Sequence, residues 1–479
     1  MTLLTYYPQL SLVRDVLKGS KRRVFLVGGA LRDYYLNRKG TDFDFALDRD
    51  AIALSKQFAR RIKGTFVLLD DEHGSARVVK RLEGVIWTFD FTDWRAPSIA
   101  KDLSLRDFTI NALAWDIWSK DDAGILEVKS SRQDLKAGVV RMVSCQVFKD
   151  DPLRLLRAFS LHASLGFKID AKTKIQIKKD AHLISEVAAE RMREEIFKVL
   201  ASPRAHGALS VMDKIGLLPC VIPQITVMYK VHQGGYHHLD VWKHTLEVIA
   251  RMEDIADDLS RDERMKVYLQ ENIGGGHSRL ALLKMAALLH DIGKPETRRQ
   301  EEDRMTFHGH EHAGERITRQ VAKQLRLSVK ERFFLEDAVR MHLRPGYLSN
   351  FKRPTEKAIF RYLRDTKDEA ASLAVLALAD QAATRGKLTA EAKVKHHAKT
   401  CHMLIQRYFE HKDQKPKQRL LTGNDLIKIL KLKPSALFGK ILSKVEEEAA
   451  LGKIKTKQEA LILARSVTAK SVKKCHCEE

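Results

Sequence analysis

The sequence predicts an α+β protein in which an α/β head precedes a long, all-helical body. Short apolar runs of the β type crowd the first 120 residues, with helical stretches between them, at residues 24–27, 43–47, 66–69, 76–79 and 85–91. From about residue 150 onward the pattern is helical almost throughout, and only 11 prolines punctuate the chain. At roughly 150 residues per domain, the length of 479 residues allows about three domains.

The charge balance indicates a polyanionic partner. The chain has 85 lysine and arginine residues against 62 acidic residues, so its formal net charge is +23. Clustered Lys and Arg side chains neutralise phosphates, which favours nucleic acid over a membrane surface. Residues 411–479 hold 16 basic against 8 acidic residues. This density predicts that the tail contacts the polyanionic partner, with a merely solubilising helix as the alternative.

Hydropathy and cysteine content bear on location. No apolar run approaches the roughly 18 residues that a membrane span needs. The five cysteines are few, odd in number and scattered, which fits a reducing compartment better than a disulfide scaffold. The sequence therefore predicts a cytoplasmic protein without a membrane partner.

A pair of glycines marks the first candidate site. Residues 24–27 form an apolar strand that runs into Gly28 and Gly29 and then into a helix. Without a Cβ, these positions let backbone N–H groups and the helix N-terminus approach a phosphate. Arg32 lies one turn into that helix and can add a charge-assisted contact. The turn is therefore a candidate phosphate-binding site.

Two aspartates follow on a predicted strand. Asp42 and Asp44 stand two positions apart, so both point to one face while Phe43 and Phe45 point to the core. Two carboxylates on one face suit Mg²⁺ beside substrate phosphates. Asp90, on another predicted strand, is a candidate third catalytic carboxylate. A lone Gly-Gly or Asp-x-Asp is usually a turn or a solvated strand edge, but their ordered occurrence here favours a catalytic function.

In four ordered blocks the chain resembles the polymerase-β-like nucleotidyltransferases, and more narrowly the bacterial tRNA nucleotidyltransferase and poly(A) polymerase family of the class II CCA-adding type. The blocks are residues 28–33 with 42–44, 102–114, 150–158 and 190–195. The resemblance implies a head built on a mixed sheet with helices. It also implies that Asp42 and Asp44 carry catalytic Mg²⁺, that Gly29 and Arg32 hold the triphosphate, and that Arg106 and Asp107 contact the ribose and phosphates.

The third block bears on the choice of nucleotide. Asp151 and Arg154 are three residues apart, so on a helix they share a face. Asp offers only acceptors and Arg only donors, a pattern that matches cytosine and adenine and opposes uracil and guanine. The alternative is an ordinary surface ion pair. The resemblance makes the two residues the template for the incoming base, and it makes Arg157 a phosphate ligand.

Three departures from the family pattern affect the predicted specificity. Asp150 stands where the family usually has Glu, and Ser160 stands where a further Arg usually follows. The stretch 91–105 is short, whereas family members that add the full CCA, or the final A, generally carry a longer flexible loop here. The short loop favours CC addition, with full CCA addition and poly(A) synthesis as alternatives.

A second candidate metal site lies in the helical body. Imidazoles and carboxylates spread over about 140 residues can converge in a helical core, and they are His244, His290, Asp291, His310, His342 and Asp380. The segment resembles the HD superfamily of metal-dependent phosphohydrolases. That resemblance implies one divalent metal on His244, His290, Asp291 and Asp380, with His310 and His342 serving a second metal or a substrate phosphate. Nearby histidines leave the assignment open, namely His237, His238, His308 and His312.

Together these observations predict four parts: a nucleotidyltransferase head at 1–140, a helical nucleobase-recognition neck at 141–220, an HD domain at 236–385 and a basic helical tail at 386–479. The predicted activity is Mg²⁺-dependent addition of CC or CCA to the tRNA 3′ end from CTP and ATP. A poly(A) polymerase is the rival within the family. A rival of another class is an HD phosphohydrolase whose head only binds RNA. The oligomeric state stays open.

Overall fold

The computed structural model describes residues 2–18, 22–128, 130–234, 238–301, 304–386, 390–414 and 419–475. The chain divides into two compact units, residues 1–223 and 224–479, called here the head unit and the body unit. The head unit mixes strands and helices, and the body unit is almost wholly helical. The predicted α+β class is therefore confirmed. Among the residues described, no helix combines the length and the apolar character required to cross a membrane.

The head unit is built on a mixed seven-stranded sheet of order β3-β4-β5-β2-β1-β6-β7. Its strands are β1 (Val24–Val27), β2 (Asp42–Leu47), β3 (Thr65–Asp70), β4 (Ser75–Leu82), β5 (Val85–Asp93), β6 (Leu113–Asp116) and β7 (Ile125–Glu127). Strands β2 and β5 run parallel, whereas the other neighbours pair antiparallel. All five strands predicted from apolar runs are present.

Helices flank this sheet and continue beyond it. They are α1 (Leu3–Tyr6), α2 (Leu10–Leu17), α3 (Gly29–Tyr35), α4 (Ala51–Ile62), α5 (Ile99–Leu103), α6 (Ser131–Ala137), α7 (Val147–Asp150), α8 (Arg154–Leu165), α9 (Ala171–Asp180), α10 (Ala189–Ala201), α11 (Ala205–Lys214) and α12 (Leu218–Val221). The short strands β8 (Val139–Val140) and β9 (Lys168–Ile169) pair in parallel beside them. The core between sheet and helices is aromatic, since Phe45 stacks on Phe91 at 5.0 Å and Phe58 packs edge-on against both Phe89 and Phe91.

The body unit is a succession of helices with one hairpin. Its helices are α13 (Val241–Leu259), α14 (Glu263–Gln270), α15 (Arg279–Leu289), α16 (Lys294–Thr297), α17 (His310–Gln324), α18 (Val329–Met341), α19 (Arg344–Ser349), α20 (Glu356–Thr366), α21 (Ala370–Ala383), α22 (Glu391–Asp413), α23 (Gly423–Lys428), α24 (Ala436–Ala450) and α25 (Lys457–Cys475). The hairpin of β10 (Arg299–Glu301) and β11 (Arg304–Thr306) departs from the predicted all-helical body. Its strands are too short for a period of two to stand out in the sequence.

Glu447 forms a buried charge centre between α20 and α24. Its side chain is only 2% exposed, yet it accepts from Lys444 at 3.0 Å, from Lys357 at 3.2 Å and from Arg361. Burial alone disfavours the carboxylate, but these three cations outweigh it and lower the pKa of Glu447 to about 2. The ion pairs therefore help to hold α24 against α20.

Glu447→Gln is expected to lower the unfolding temperature at neutral pH, since about 1 to 3 kcal/mol of charge-assisted hydrogen bonding is lost. The folded pKa is depressed, so this stabilisation is present above the unfolded pKa of about 4.3 and disappears as the pH falls toward about 2. Unfolding curves of wild type and variant, followed by circular dichroism, should therefore converge over that range. The exposed neighbour Glu446→Gln is the control, and a gap independent of pH would contradict the ion-pair origin.

Candidate functional sites

The carboxylate pair lies where strand periodicity predicts it. On β2, Phe43 and Phe45 are buried, whereas Asp42 and Asp44 reach the solvent on the opposite face. Gly28 precedes α3 with φ of 73°, a conformation that glycine adopts without strain. A Cβ added to Gly28 would lie 3.4 Å from Asp44 Oδ2. The glycine therefore leaves the space between turn and carboxylate open.

One cavity of about 760 Å³ in the head unit collects most of the predicted nucleotide-handling residues. Those that line it are Gly28, Gly29, Arg32, Asp42, Asp44, Arg106, Asp107, Asp151, Arg154 and Arg157. They come from β2, from the glycine turn, from the segment before β6 and from the region of α8. The structure thus brings together side chains that are up to 129 positions apart in the sequence.

Asp90 does not line this cavity, but it is the neighbour of the carboxylate pair. In the parallel β2–β5 ladder, Asp44 lies opposite Asp90. Arg77, on β4, donates two hydrogen bonds of 2.8 Å to the Asp90 carboxylate. Desolvation of the Asp44 carboxylate by the surrounding protein, together with the negative charge of Asp90, raises the pKa of Asp44. The chemistry of this cluster of hard oxygen donors fits Mg²⁺.

The basic residues of the cavity are held by a buried network. Arg32 donates to Asn111 Oδ1 at 2.8 Å, and Asn111 in turn donates to Asp107 Oδ1 at 3.2 Å. Arg157 Nε lies 3.2 Å from the other oxygen of Asp107. Burial opposes ionisation of Asp107, but Arg157 and the donors of Phe108 and Asn111 outweigh it and lower its pKa. Asp107 is therefore a charged anchor that orients two arginines toward the cavity.

The expectation that Asp151 and Arg154 share a helix face is wrong. Helix α7 ends at Asp150, Asp151 is extended with φ of −151° and ψ of 100°, and α8 begins at Arg154. Pro152 explains the break, because a residue that precedes proline is pushed out of the helical region. The Asp151 carboxylate pairs at 3.0 Å with Arg191 of α10 rather than with Arg154. Both residues nevertheless line the same cavity.

Arg154 is fixed in a different way. Its side chain is buried, and Nη1 donates to the backbone oxygens of Leu105 at 3.1 Å and Val147 at 3.4 Å.

Cavity-lining basic residues that the sequence did not single out are Arg38, Arg95 and Lys198. Arg191 belongs to the fourth sequence block, but only the fold places it on Asp151. Ser160 donates to the buried Glu195, which also pairs with Lys198 at 2.8 Å.

The body unit brings all six predicted HD residues into one cluster. Two groups have possible ligand atoms that all lie within 4.8 Å of one another: His244, His290 and Asp380, and Asp291, His310 and His342. Asp291 connects them, because Oδ2 lies 3.2 Å from His290 Nε2 and Oδ1 lies 3.5 Å from His310 Nε2. His290 and Asp291 follow α15, and the others come from α13, α17, the end of α18 and α21.

In three of the four histidines, a contact from ring nitrogen Nδ1 to the backbone fixes the orientation of the imidazole. Nδ1 contacts a backbone oxygen at 2.8 Å in His290, at 2.8 Å in His310 and at 2.6 Å in His342. Nε2 is then the atom presented to the cluster, as in histidine–metal sites. His290 Nε2 is buried and makes no well-directed hydrogen bond within the described residues. Burial and the neighbouring imidazoles lower the pKa of His342 to about 3, so this imidazole is neutral.

Two polar neighbours of this cluster had no role assigned from the sequence. Lys294 is buried, with Nζ 2.7 Å from Asp291 Oδ2 and 2.6 Å from Gln233 Oε1. Of the spare histidines, His312 is 72% exposed and His237 lies outside the described residues. The buried donor set of imidazoles and carboxylates fits one or two divalent ions.

The fold and the two sites define a nucleotidyltransferase head followed by a helical HD body, and comparison with known families agrees. A model described as Poly A polymerase head domain matches residues 24–141, and an HD domain model matches 241–385. A "Probable RNA and SrmB- binding site of polymerase A" matches 166–228, and a tRNA nucleotidyltransferase domain 2 matches 362–464.

Among curated proteins, the CC-adding tRNA nucleotidyltransferase of Thermus thermophilus is 31% identical over 446 residues, 91% of this chain and 92% of that protein. The A-adding tRNA nucleotidyltransferase of Deinococcus radiodurans is 30% identical, again over 91% of this chain, and 93% of that protein. The chain therefore belongs to the tRNA nucleotidyltransferase and poly(A) polymerase family, and it is a nucleotidyltransferase with an HD domain.

A solved structure of tRNA nucleotidyltransferase, complexed with a primer tRNA and an incoming ATP analog, has the same fold. Its TM-score is 0.58 at 21% identity, and the match covers 84% of this chain and 99% of that one. These comparisons confirm the resemblance drawn from the four sequence blocks.

Proposed function

We propose that this chain extends the 3′ end of tRNA without a nucleic-acid template, adding CC from CTP. The observation that carries the proposal is the single cavity in which the Asp42–Asp44 pair, the glycine turn and several arginines face one another. A carboxylate pair suits Mg²⁺, and the basic groups suit a triphosphate. The relatives named above act on tRNA, which makes tRNA the proposed acceptor.

The choice between CC and CCA rests on a local feature rather than on overall similarity. One relative is CC-adding and the other is A-adding, yet their identities to this chain are 31% and 30%. Between the end of β5 at Asp93 and the start of α5 at Ile99 only five residues remain. The Arg95 backbone N–H donates to Asp102 Oδ1 at 3.1 Å, which ties this short connection down. The connection thus lacks the long flexible loop associated with A addition, and we assign CC addition.

The cavity residues have separable roles in this reaction. Asp42 and Asp44 would hold Mg²⁺, with Asp90 as the third carboxylate, and the ion would supply charge neutralisation at the reacting phosphate. Arg32, Arg106 and Arg157 would bind the triphosphate and the departing pyrophosphate. Asp107 and Asn111 keep Arg157 and Arg32 in place before the nucleotide arrives, so less ordering is needed on binding.

Base selection is assigned to Asp151 and Arg154. Arg154 is held by two backbone oxygens, and Asp151 is held by Arg191, so each side chain has a fixed position without contacting the other. A fixed acceptor beside a fixed donor matches the N4 amino group and N3 of cytosine. Uracil presents a carbonyl oxygen to the carboxylate and is disfavoured.

The proposal is tested with tRNA transcripts that lack the whole CCA end, that end after the first C, or that end after the second C. Each is incubated with one labelled nucleoside triphosphate at a time. We expect growth by two CMP residues and then arrest. One further AMP would select CCA addition, and long adenylate tracts would select the poly(A) polymerase. If wild-type protein incorporates nothing, the head only binds RNA and the proposal is wrong.

Asp151→Asn is expected to reduce the preference for CTP over UTP by about 5- to 150-fold, because a matched base contact contributes about 1 to 3 kcal/mol of discrimination. The amide can donate to the uracil oxygen that the carboxylate opposes. The measurement is kcat/KM for each nucleotide on the same tRNA. Asp15→Asn is the control, since Asp15 is an exposed carboxylate on α2 and does not line the cavity. An unchanged preference in Asp151→Asn would show that selection resides elsewhere.

A second activity is proposed for the body unit. The unsatisfied His290 Nε2, together with the bridging position of Asp291, supports divalent-metal binding. Bound metal would supply an activated water for phosphoester hydrolysis, the chemistry of the HD superfamily. Lys294 would balance the charge of Asp291 and could contact a substrate phosphate.

We propose the four-part division of the chain given above, with the last part as the tRNA clamp. The matched regions, 24–141, 166–228, 241–385 and 362–464, support a division of this kind without coinciding with its boundaries. A small core of α23, α24 and α25 centres on Leu426, Ile441, Val445 and Ala460, so the lysines of this region are carried on an ordered support. The proposed location is the cytoplasm.

A further inference from the structure

Strand β3 is an apolar edge of the head-unit sheet. It pairs with β4 on one side only and stands at the end of the strand order. Three consecutive residues in it are exposed: Val67 at 41%, Leu68 at 48% and Leu69 at 47%. The opposite edge strand, β7, has only three residues. Strand β3 therefore offers apolar side chains together with backbone groups available for a further strand.

The usual protection of an edge strand is weak here. Natural edges carry lysine, proline or inward-pointing charges that prevent another strand from pairing. The sequence of β3, Thr-Phe-Val-Leu-Leu-Asp, has neither lysine nor proline, and its one charge is at the end. The irregular register with β4 between Leu68 and Asp70 is confined to that same end. Residues 65–68 pair with β4 in regular register, so the stretch around Val67 remains competent to pair with another strand.

Charges of opposite sign flank the two ends of β3. Arg60, Arg61 and Lys63 precede the strand, and Asp70, Asp71 and Glu72 end or follow it. Six residues of strand span about 20 Å, so the two groups are well separated. A second copy in parallel orientation would bring like charges together, whereas an antiparallel copy would bring each basic end to an acidic end. The strand is therefore complementary in charge to an inverted copy of itself.

From this self-complementarity we infer that two copies of this chain associate through antiparallel pairing of β3 with its equivalent. Residues directly opposite in an antiparallel pair have the same hydrogen-bonding type, so the two-fold axis passes through a residue. An axis through Val67 brings the basic end of each strand, which includes Lys63, to the acidic end of the other, which includes Asp71. Val67 and Leu69 of both strands then meet on one face of the joined sheet, and Leu68 of each strand meets Phe66 of the other on the opposite face.

The interface has a predictable strength. One strand pair with its flanking charges is smaller than the roughly 800 Å² per partner of a stable complex. The dimer is therefore reversible and concentration-dependent. Its flanking ion pairs are solvent-exposed, so added salt weakens it, while the apolar centre leaves part of the association in place.

Sedimentation velocity of the full chain over a wide concentration range tests the inference, with a monomer–dimer equilibrium as the expected result. Val67→Lys sets two ammonium groups face to face at the axis and is expected to leave only monomer. Ile175→Lys is the matched control, because Ile175 is 69% exposed on α9 of the same unit, away from the edge. Wild-type protein that stays monomeric throughout, or a dimer that survives Val67→Lys, would overturn the inference.

A charge exchange identifies the register. Lys63→Asp and Asp71→Lys each place like charges opposite one another in the homodimer, so each variant alone is expected to be monomeric. A mixture of the two restores both ion pairs and is expected to dimerise again. Lys63 has φ of 55°, a region in which Asp is tolerated, so folding is preserved. Failure of the mixture to associate would exclude pairing centred on Val67.

Discussion

Asp44→Asn is expected to slow CMP addition by about a thousandfold, because the metal that the carboxylate pair would hold contributes several kcal/mol and each 1.36 kcal/mol is a factor of ten. Asp44 lies between Asp42 on its own strand and Asp90 on the neighbouring strand, so its loss removes the centre of the cluster. The measurement is single-turnover incorporation of labelled CMP into tRNA that lacks CCA. Affinity for tRNA, measured in parallel, should not change.

The matched control is Asp15→Asn, which removes an exposed carboxylate on α2 of the same unit. Asp90→Asn tests the assignment of Asp90 as the third catalytic carboxylate. If Asp90 acts as the third catalytic carboxylate, Asp90→Asn is expected to lose about as much activity as Asp44→Asn. If Asp90 serves only as the ion-pair partner of Arg77, the rate of Asp90→Asn stays close to that of wild type. A rate in Asp44→Asn within tenfold of wild type would contradict the assignment of the pair.

His290→Ala is expected to lower the affinity of the body unit for a divalent metal by more than about 100-fold, since even indirect supports of a metal ligand cost 10- to 100-fold. His290 is fully buried and its Nε2 lies 3.2 Å from Asp291 Oδ2, so its loss removes a candidate ligand atom from the interior of the cluster. The readout is metal content after dialysis, together with calorimetric titration of the full chain with Mn²⁺ alone.

His312→Ala provides the comparison, because this histidine is 72% exposed and follows the cluster residue His310 by two positions. CMP addition should be retained in both variants, since the transfer chemistry is assigned to the head unit. Circular dichroism checks that His290→Ala keeps its helices. Metal bound in undiminished amount by a folded His290→Ala would remove His290 from the ligand set.

Local features were readable because they depend on short spacings. The period of two on β2 fixed the common face of Asp42 and Asp44, and the glycine turn could be recognised from Gly28 and Gly29. The Asp151–Arg154 expectation failed for an equally local reason. Pro152 forbids helix at Asp151, a signal already present in the sequence.

Long-range partners could not be read in this way. Arg191 meets Asp151 across 40 positions, and Arg32 meets Asn111 across 79. Which oxygen of Asp291 faces which imidazole depends on the packing of five helices, although the order of the six candidate ligands was visible in the sequence. Such contacts have no periodicity along the chain, because they arise only when separate elements pack.

The sequence by itself determined the α+β class and the common face of the carboxylate pair, since both follow from residue type at a short, regular spacing. It also indicated the family and the six candidate residues of the HD cluster, since the motifs that resemble those families occur in the expected order along the chain. Only the tertiary structure decided that Arg191 holds Asp151, that Asp107 and Asn111 hold Arg157 and Arg32, that Asp291 bridges the two histidine–carboxylate groups and that β3 is an exposed edge. The physical reason is that hydrogen bonds, burial and sheet order are set by packing between distant segments.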